Sequence, residues 1–128
     1  MADHGAFYWN ELRTRDVAAA KAFYAAVVGW QAEDVPMPGG EGNYTLFKNA
    51  QGAVGGMVDV TAMMPAETPA HWAAFVAVDD VDAAVARTER AGGTVLMPAL
   101  DVPDVGRISI VRDPTGAAIG IMTPVASA

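Results

Sequence analysis

Apolar residues in this chain recur first at every second position and then at helical spacing, and the switch between the two periods predicts the elements. Phe7 to Arg13 reads as a strand rich in aromatic and extended residues. Asp16 then caps a helix from Val17 to Val28, in which Ala20, Phe23, Tyr24 and Val27 fall at helical spacing. Gly29 supplies the stop, and Trp30 follows where a hydrophobic contact often closes a helix C-terminus. Pro36, Pro38, Gly39, Gly40 and Gly42 make a loop before a strand at Asn43 to Lys48. Asn49-Ala50-Gln51-Gly52 is a hairpin turn, and Ala53 to Val60 returns as a strand containing the pair Gly55-Gly56. Met63 to Pro69 is a linker, since Pro65 and Pro69 both disfavour regular structure.

The second half repeats this plan. His71 to Val78 is a strand, and Asp79 or Asp80 caps a helix from Val81 to Ala91. Val81, Ala84, Val85 and Thr88 face the core of that half, while Arg87, Glu89 and Arg90 face solvent. Gly92-Gly93 ends the helix, Thr94 to Met97 is a short strand, and Pro98 to Gly106 is a loop. The last stretch, Gly106 to Met122, reads strand, tight turn, strand around Asp113-Pro114-Thr115-Gly116. Asp16 and Asp79 are 63 apart (79 − 16), as are Gly29 and Gly92 (92 − 29). The prediction is therefore α+β: two tandem βαβββ modules forming an open, cup-shaped β-sheet in a single domain. Module one spans about 6–60, the linker about 61–70 and module two about 71–123.

Composition narrows the function classes. A chain of 128 residues with 52% hydrophobic and 18% charged residues folds as one globular domain rather than staying disordered. No apolar run approaches the roughly 18 residues that cross a bilayer, so no membrane association is expected. The start, M-A-D-H-G, lacks the basic and apolar regions of a signal peptide, and the cytoplasm is the expected compartment. The absence of cysteine excludes disulfides, thiolate nucleophiles and thiolate metal ligands. A net charge of −7 argues against nucleic-acid binding, which needs clustered Lys and Arg, and modestly favours cationic ligands.

Four stretches, taken in order, carry a family resemblance: F-Y-W-N-E-L-R-T-R-D-V-A-A-A-K-A-F-Y-A-A-V-V-G-W, H-W-A-A-F-V-A-V-D-D-V-D-A-A, A-G-G-T-V and D-P-T-G. Over Phe7 to Met122 the chain resembles the vicinal-oxygen-chelate superfamily, closest to its glyoxalase/bleomycin-resistance/dioxygenase-like type. The resemblance implies paired βαβββ modules, a small-molecule partner, and a homodimer. In its metal-dependent members four inward His, Glu or Gln side chains hold a divalent metal. Carried over by spacing, those positions are Trp9, Gly56, Ala73 and Gly120, the last lying seven residues after the turn aspartate. None offers a side-chain ligand, so neither the usual metal nor another cofactor is expected.

Period-2 alternation predicts what lines the cup instead. Trp9, Glu11 and Arg13 share one strand face, with Tyr8 and Leu12 on the other. His71, Ala73 and Phe75 share a second face, and Gly120 and Met122 a third. The result is a pocket with small floors at Gly56, Ala73 and Gly120 beside aromatic walls at Trp9 and Phe75. Each residue has a plainer reading. Trp9 is core packing; Glu11 and Arg13 neutralise each other; His71, beside Pro69, is a strand-edge residue held by backbone. His4 lies in a mobile terminus, Gly55-Gly56 is a bulge or close-packed strand, and most methionines are core. Met57, Met97 and Met122 could otherwise form an adaptable lining.

The function these features favour is metal-free binding of a small aromatic or cationic molecule in the sheet. One alternative is a lyase or oxygenase with relocated metal ligands, Glu11 and His71 among them. Another is metal-free isomerisation, with Glu11 as base and Arg13 stabilising an oxyanion. For catalysis the candidates are thus Glu11, Arg13 and His71, and whether there is turnover stays open.

Overall fold

A computed structural model describes residues 3–37, 42–103 and 105–125 of the chain. The predicted loop residues Pro38, Gly39 and Gly40 lie outside these described residues. Among the described residues there are eight strands and two helices. The first half contains β1 (Phe7–Thr14), α1 (Val17–Val27), β2 (Gln31–Pro36), β3 (Asn43–Asn49) and β4 (Gly52–Asp59). The second contains β5 (His71–Ala77), α2 (Val81–Thr88), β6 (Thr94–Val102), β7 (Gly106–Arg112) and β8 (Ala118–Pro124). The α+β class and the doubled βαβββ plan are both present. No described helix is long and apolar enough to cross a membrane.

By contacts the chain divides into two compact units, Trp9–Ala73 and the remainder, with the boundaries falling inside β1 and β5. In the first unit the strand order is β2-β3-β4-β1, and in the other it is β5-β8-β7-β6. Each unit pairs its first and last strands in parallel, Glu11 opposite Gly56 in one and Phe75 opposite Gly120 in the other. Both pairs are related by 64 residues (75 − 11 and 120 − 56). The caps follow the same offset, because Asp80 rather than Asp79 receives the amide of Ala83, as Asp16 receives that of Ala19. The repeat spacing is therefore 64, one residue more than the cap-to-cap reading with Asp79.

The core of the first unit forms where α1 lies on the sheet. Leu12, Phe47 and Met57 are buried, with Val17, Ala20, Tyr24, Trp30 and Val54 packed against them. Met57 is thus core and not lining. Trp30 and Phe47 lie 5.1 Å apart between ring centroids, and Trp72 donates its indole hydrogen to the Tyr24 hydroxyl at 3.0 Å. Gly29 has a φ of +81° and donates to the Tyr24 carbonyl at 3.0 Å, a helix ending that favours glycine. Phe23 and Val27, by contrast, point away from this core and are 56% and 64% exposed. At 100° per residue they fall on the flank of the stripe that Val17, Ala20 and Tyr24 occupy, and the sheet covers only the stripe.

Three further expectations need correction. Gln31–Pro36 is a strand that the sequence did not show, and Pro36 ends it rather than opening the loop. Its charged residues hide it from hydrophobic periodicity, yet an edge strand needs only one paired side, and β3 supplies it. Likewise Pro98 to Val102 belongs to β6 rather than to a loop. Proline is tolerated there because β6 is an edge strand and its register slips between Met97 and Leu100. The second helix stops at Thr88, three residues short of the predicted end, where Gly93 donates to the Thr88 carbonyl. His4 is also held in place: its Nδ1 accepts the Asp79 amide at 2.9 Å.

Candidate functional site

On β1, Leu12 and Thr14 are buried beneath α1, which leaves Trp9, Glu11 and Arg13 on the opposite sheet face. The structure links Trp9 to Glu11 through Tyr44, a residue absent from the sequence-derived set, and Glu11 to Arg13 directly. The Trp9 indole donates to the Tyr44 hydroxyl at 3.0 Å. That hydroxyl donates to Glu11 Oε1 at 3.0 Å. Arg13 Nε donates to Glu11 Oε2, also at 3.0 Å. The side chains of Arg13 and Glu11 are only 15% and 14% exposed, so this ion pair stands largely out of water.

Gly56 makes the arrangement possible. A Cβ at this position would sit 1.8 Å from the Tyr44 oxygen. The bare backbone of β4 is the floor on which the phenol lies, on its way from β3 to β1. Burial pushes the Tyr44 phenol far above the ordinary tyrosine range, and the neighbouring Glu11 charge adds to the shift. Tyr44 is therefore a neutral hydrogen-bond relay between indole and carboxylate. Its sequence signal was faint, one aromatic residue near a Gly-Gly strand, because its role depends on a cross-strand register that spacing alone does not give.

The other candidates are placed differently. His71 Nδ1 meets the Pro69 carbonyl at 2.9 Å, so the ring nitrogen carries the proton there and anchors the strand end. At Gly55, beside Gly56, a Cβ would come 3.0 Å from the Asn10 carbonyl oxygen. Within the second unit the ring of Phe75 covers Gly120, where a Cβ would come within 2.3 Å of it. Phe75 and Met122 are each 4% exposed and belong to the packed interior.

The four positions that would hold a metal in metal-dependent members of the resembled superfamily allow a direct test of fit. Trp9 has a nitrogen that is a hydrogen-bond donor, already given to Tyr44. Gly56, Ala73 and Gly120 have no donor atoms in their side chains, and the room above the two glycines holds Tyr44 and Phe75. These residues do not fit a divalent metal. Nor, among the described residues, do three His, Asp or Glu side chains converge elsewhere.

Comparison with known proteins agrees with this architecture. The profile of the Glyoxalase/Bleomycin resistance protein/Dioxygenase superfamily matches residues 3–121, and the chain belongs to that superfamily. "Putative glyoxylase CFP32" of Mycobacterium tuberculosis is 43% identical over 113 residues, covering 88% of this chain and 43% of that protein. "Anthracycline biosynthesis protein DnrV" of Streptomyces peucetius is 36% identical over 132 residues, covering 91% of this chain and 46% of that protein. The chain thus spans less than half the length of these curated relatives. Among solved structures, methylmalonyl-CoA epimerase from Mycobacterium tuberculosis superposes with a TM-score of 0.65 at 15% identity, covering 98% of this chain and 93% of that one. The Mn(II)-bound glyoxalase from Novosphingobium aromaticivorans gives 0.60 at 24% identity, covering 98% and 41%. Both structural likenesses show the fold.

Proposed function

We propose that the Trp9–Tyr44–Glu11–Arg13 face of the first unit binds a small aromatic molecule without a metal ion. The observation that supports this most is the hydrogen-bonded relay itself. It fixes an indole, a phenol and a guanidinium side by side on one sheet face, above a glycine floor. Rigid aromatic surface with a few oriented polar groups is the usual make-up of a small-molecule site. The kinship to a protein named for anthracycline biosynthesis supports an aromatic ligand, since anthracyclines are fused-ring aromatics. Acid–base catalysis by Glu11 is disfavoured, because both its oxygens already accept hydrogen bonds from Tyr44 and Arg13.

The test is titration with soluble naphthalene- and anthraquinone-based compounds, followed by tryptophan emission. Binding should quench the wild-type protein and leave Trp9→Phe much less affected, because Trp30 and Trp72 pack around Tyr24 on the α1 side. Equal quenching in both proteins would place the ligand elsewhere.

A further inference from the structure

We infer that Arg13 is an oxyanion anchor, and that the aromatic ligand of this face carries a carboxylate or an equivalent oxyanion. The inference rests on the proposed aromatic site and adds the chemical class of its ligand.

A guanidinium has five N–H donors in a rigid planar fork. In a self-contained ion pair, the carboxylate meets that fork with both oxygens and uses up its binding edge. Here the pairing is single. The Tyr44 hydroxyl donates to Glu11 Oε1 and holds the carboxylate in place, and Arg13 meets Oε2 through Nε alone. Among the described residues, neither Nη nitrogen of Arg13 has a hydrogen-bond partner, and no buried side-chain nitrogen or oxygen is left unpaired. Both Nη nitrogens therefore touch solvent although the side chain is 15% exposed. Glu11, itself held by Tyr44, grips the guanidinium at Nε and leaves its Nη edge uncovered. A clamped, partly desolvated fork with a free edge suits two oxygens of one acid group.

Charge and distance narrow the class further. A cationic ligand would meet the guanidinium directly, so the net charge of −7 is a poor guide to this face. Lys48, on β3 beyond β4, is already paired with Glu33. Along β1, four residues at about 3.3 Å each separate Trp9 from Arg13, roughly 13 Å. That span suits a fused-ring system lying against Trp9 and Tyr44 with its acid group at Arg13.

The experiment uses anthraquinone-2-carboxylate and its neutral carboxamide, titrated into the full chain by calorimetry. The carboxylate should bind about tenfold tighter or more, the range expected for charge-assisted hydrogen bonds. Arg13→Lys, which keeps a positive charge for Glu11 but loses the fork, should remove most of that preference and leave carboxamide affinity within about twofold. Lys48→Met should keep the preference. Equal affinity of the two probes for the wild-type protein overturns the anchor and leaves the aromatic site standing. Binding of neither probe overturns both. The wild-type comparison decides the matter even if Arg13→Lys fails to fold.

Discussion

Gly56 and Tyr44 act as one unit, and this can be measured. Replacing Gly56 by Ala drives the phenol off the sheet and breaks its bonds to Trp9 and Glu11. The expected cost is about 2–3 kcal/mol in urea unfolding, mostly from partners left buried and unpaired. In a Tyr44→Ala background the same substitution should cost well under half as much, a non-additivity that a double-mutant cycle reads directly. Independent costs would separate the glycine from the relay. Tyr44 also sets an alkaline limit. Its folded pKa is raised above the unfolded value of about 10. The native state therefore keeps a proton that the unfolded chain releases, and stability falls as pH climbs past 10. Tyr44→Phe should flatten that decline, followed as the unfolding midpoint between pH 9 and 11. An unchanged slope would assign the decline to other groups.

At the scale of elements, α1 shows how far the sequence could be read. Its start at Asp16 and its stop at Gly29 are both where side-chain chemistry puts them, and the amide of Ala19 duly reaches the Asp16 carboxylate. Which flank meets the sheet was not legible, because Phe23, Tyr24 and Val27 are all apolar and the chain around them is almost all alanine. The structure selects Val17, Ala20 and Tyr24. Tyr24→Ala should cost about 3 kcal/mol, since that ring contacts Trp30, Phe47 and Trp72. Phe23→Ser should change stability by less than about 0.5 kcal/mol. Thermal unfolding of the two variants distinguishes them, and similar losses would reverse the assignment of faces. The edge strand β2 and the second half of β6 escaped for a different reason: charge and proline, which argue against a strand in general, are compatible with one that pairs on a single side. The relay residues Trp9, Glu11 and Arg13 were legible as one face by alternation. Tyr44 was not, because it reaches them across β4 from another strand.

Across the whole chain, the same construction occurs twice, and each time with an aromatic ring laid over the glycine of the closing strand. Tyr44 brings a hydroxyl to Gly56 and Phe75 brings none to Gly120, so one copy has a polar relay and the other only packing. The duplication also bears on how the chain folds. In both units the outermost strands in sequence become parallel neighbours, and Glu11 meets Gly56 only after 44 residues have been gathered between them. The hairpins β3–β4 and β7–β8 are local by comparison, the latter held by Asp113, which accepts from the amides of Thr115 and Ala117. Closing the long loop is the entropically expensive step, so it is expected to limit the refolding rate. Leu12→Ala should therefore slow refolding in stopped-flow mixing, whereas Asp113→Ala, acting on a turn, should leave the Trp9–Ala73 unit refolding at its original rate. A chain with two such closures has two separate opportunities to stall, each with an exposed strand edge waiting for its partner.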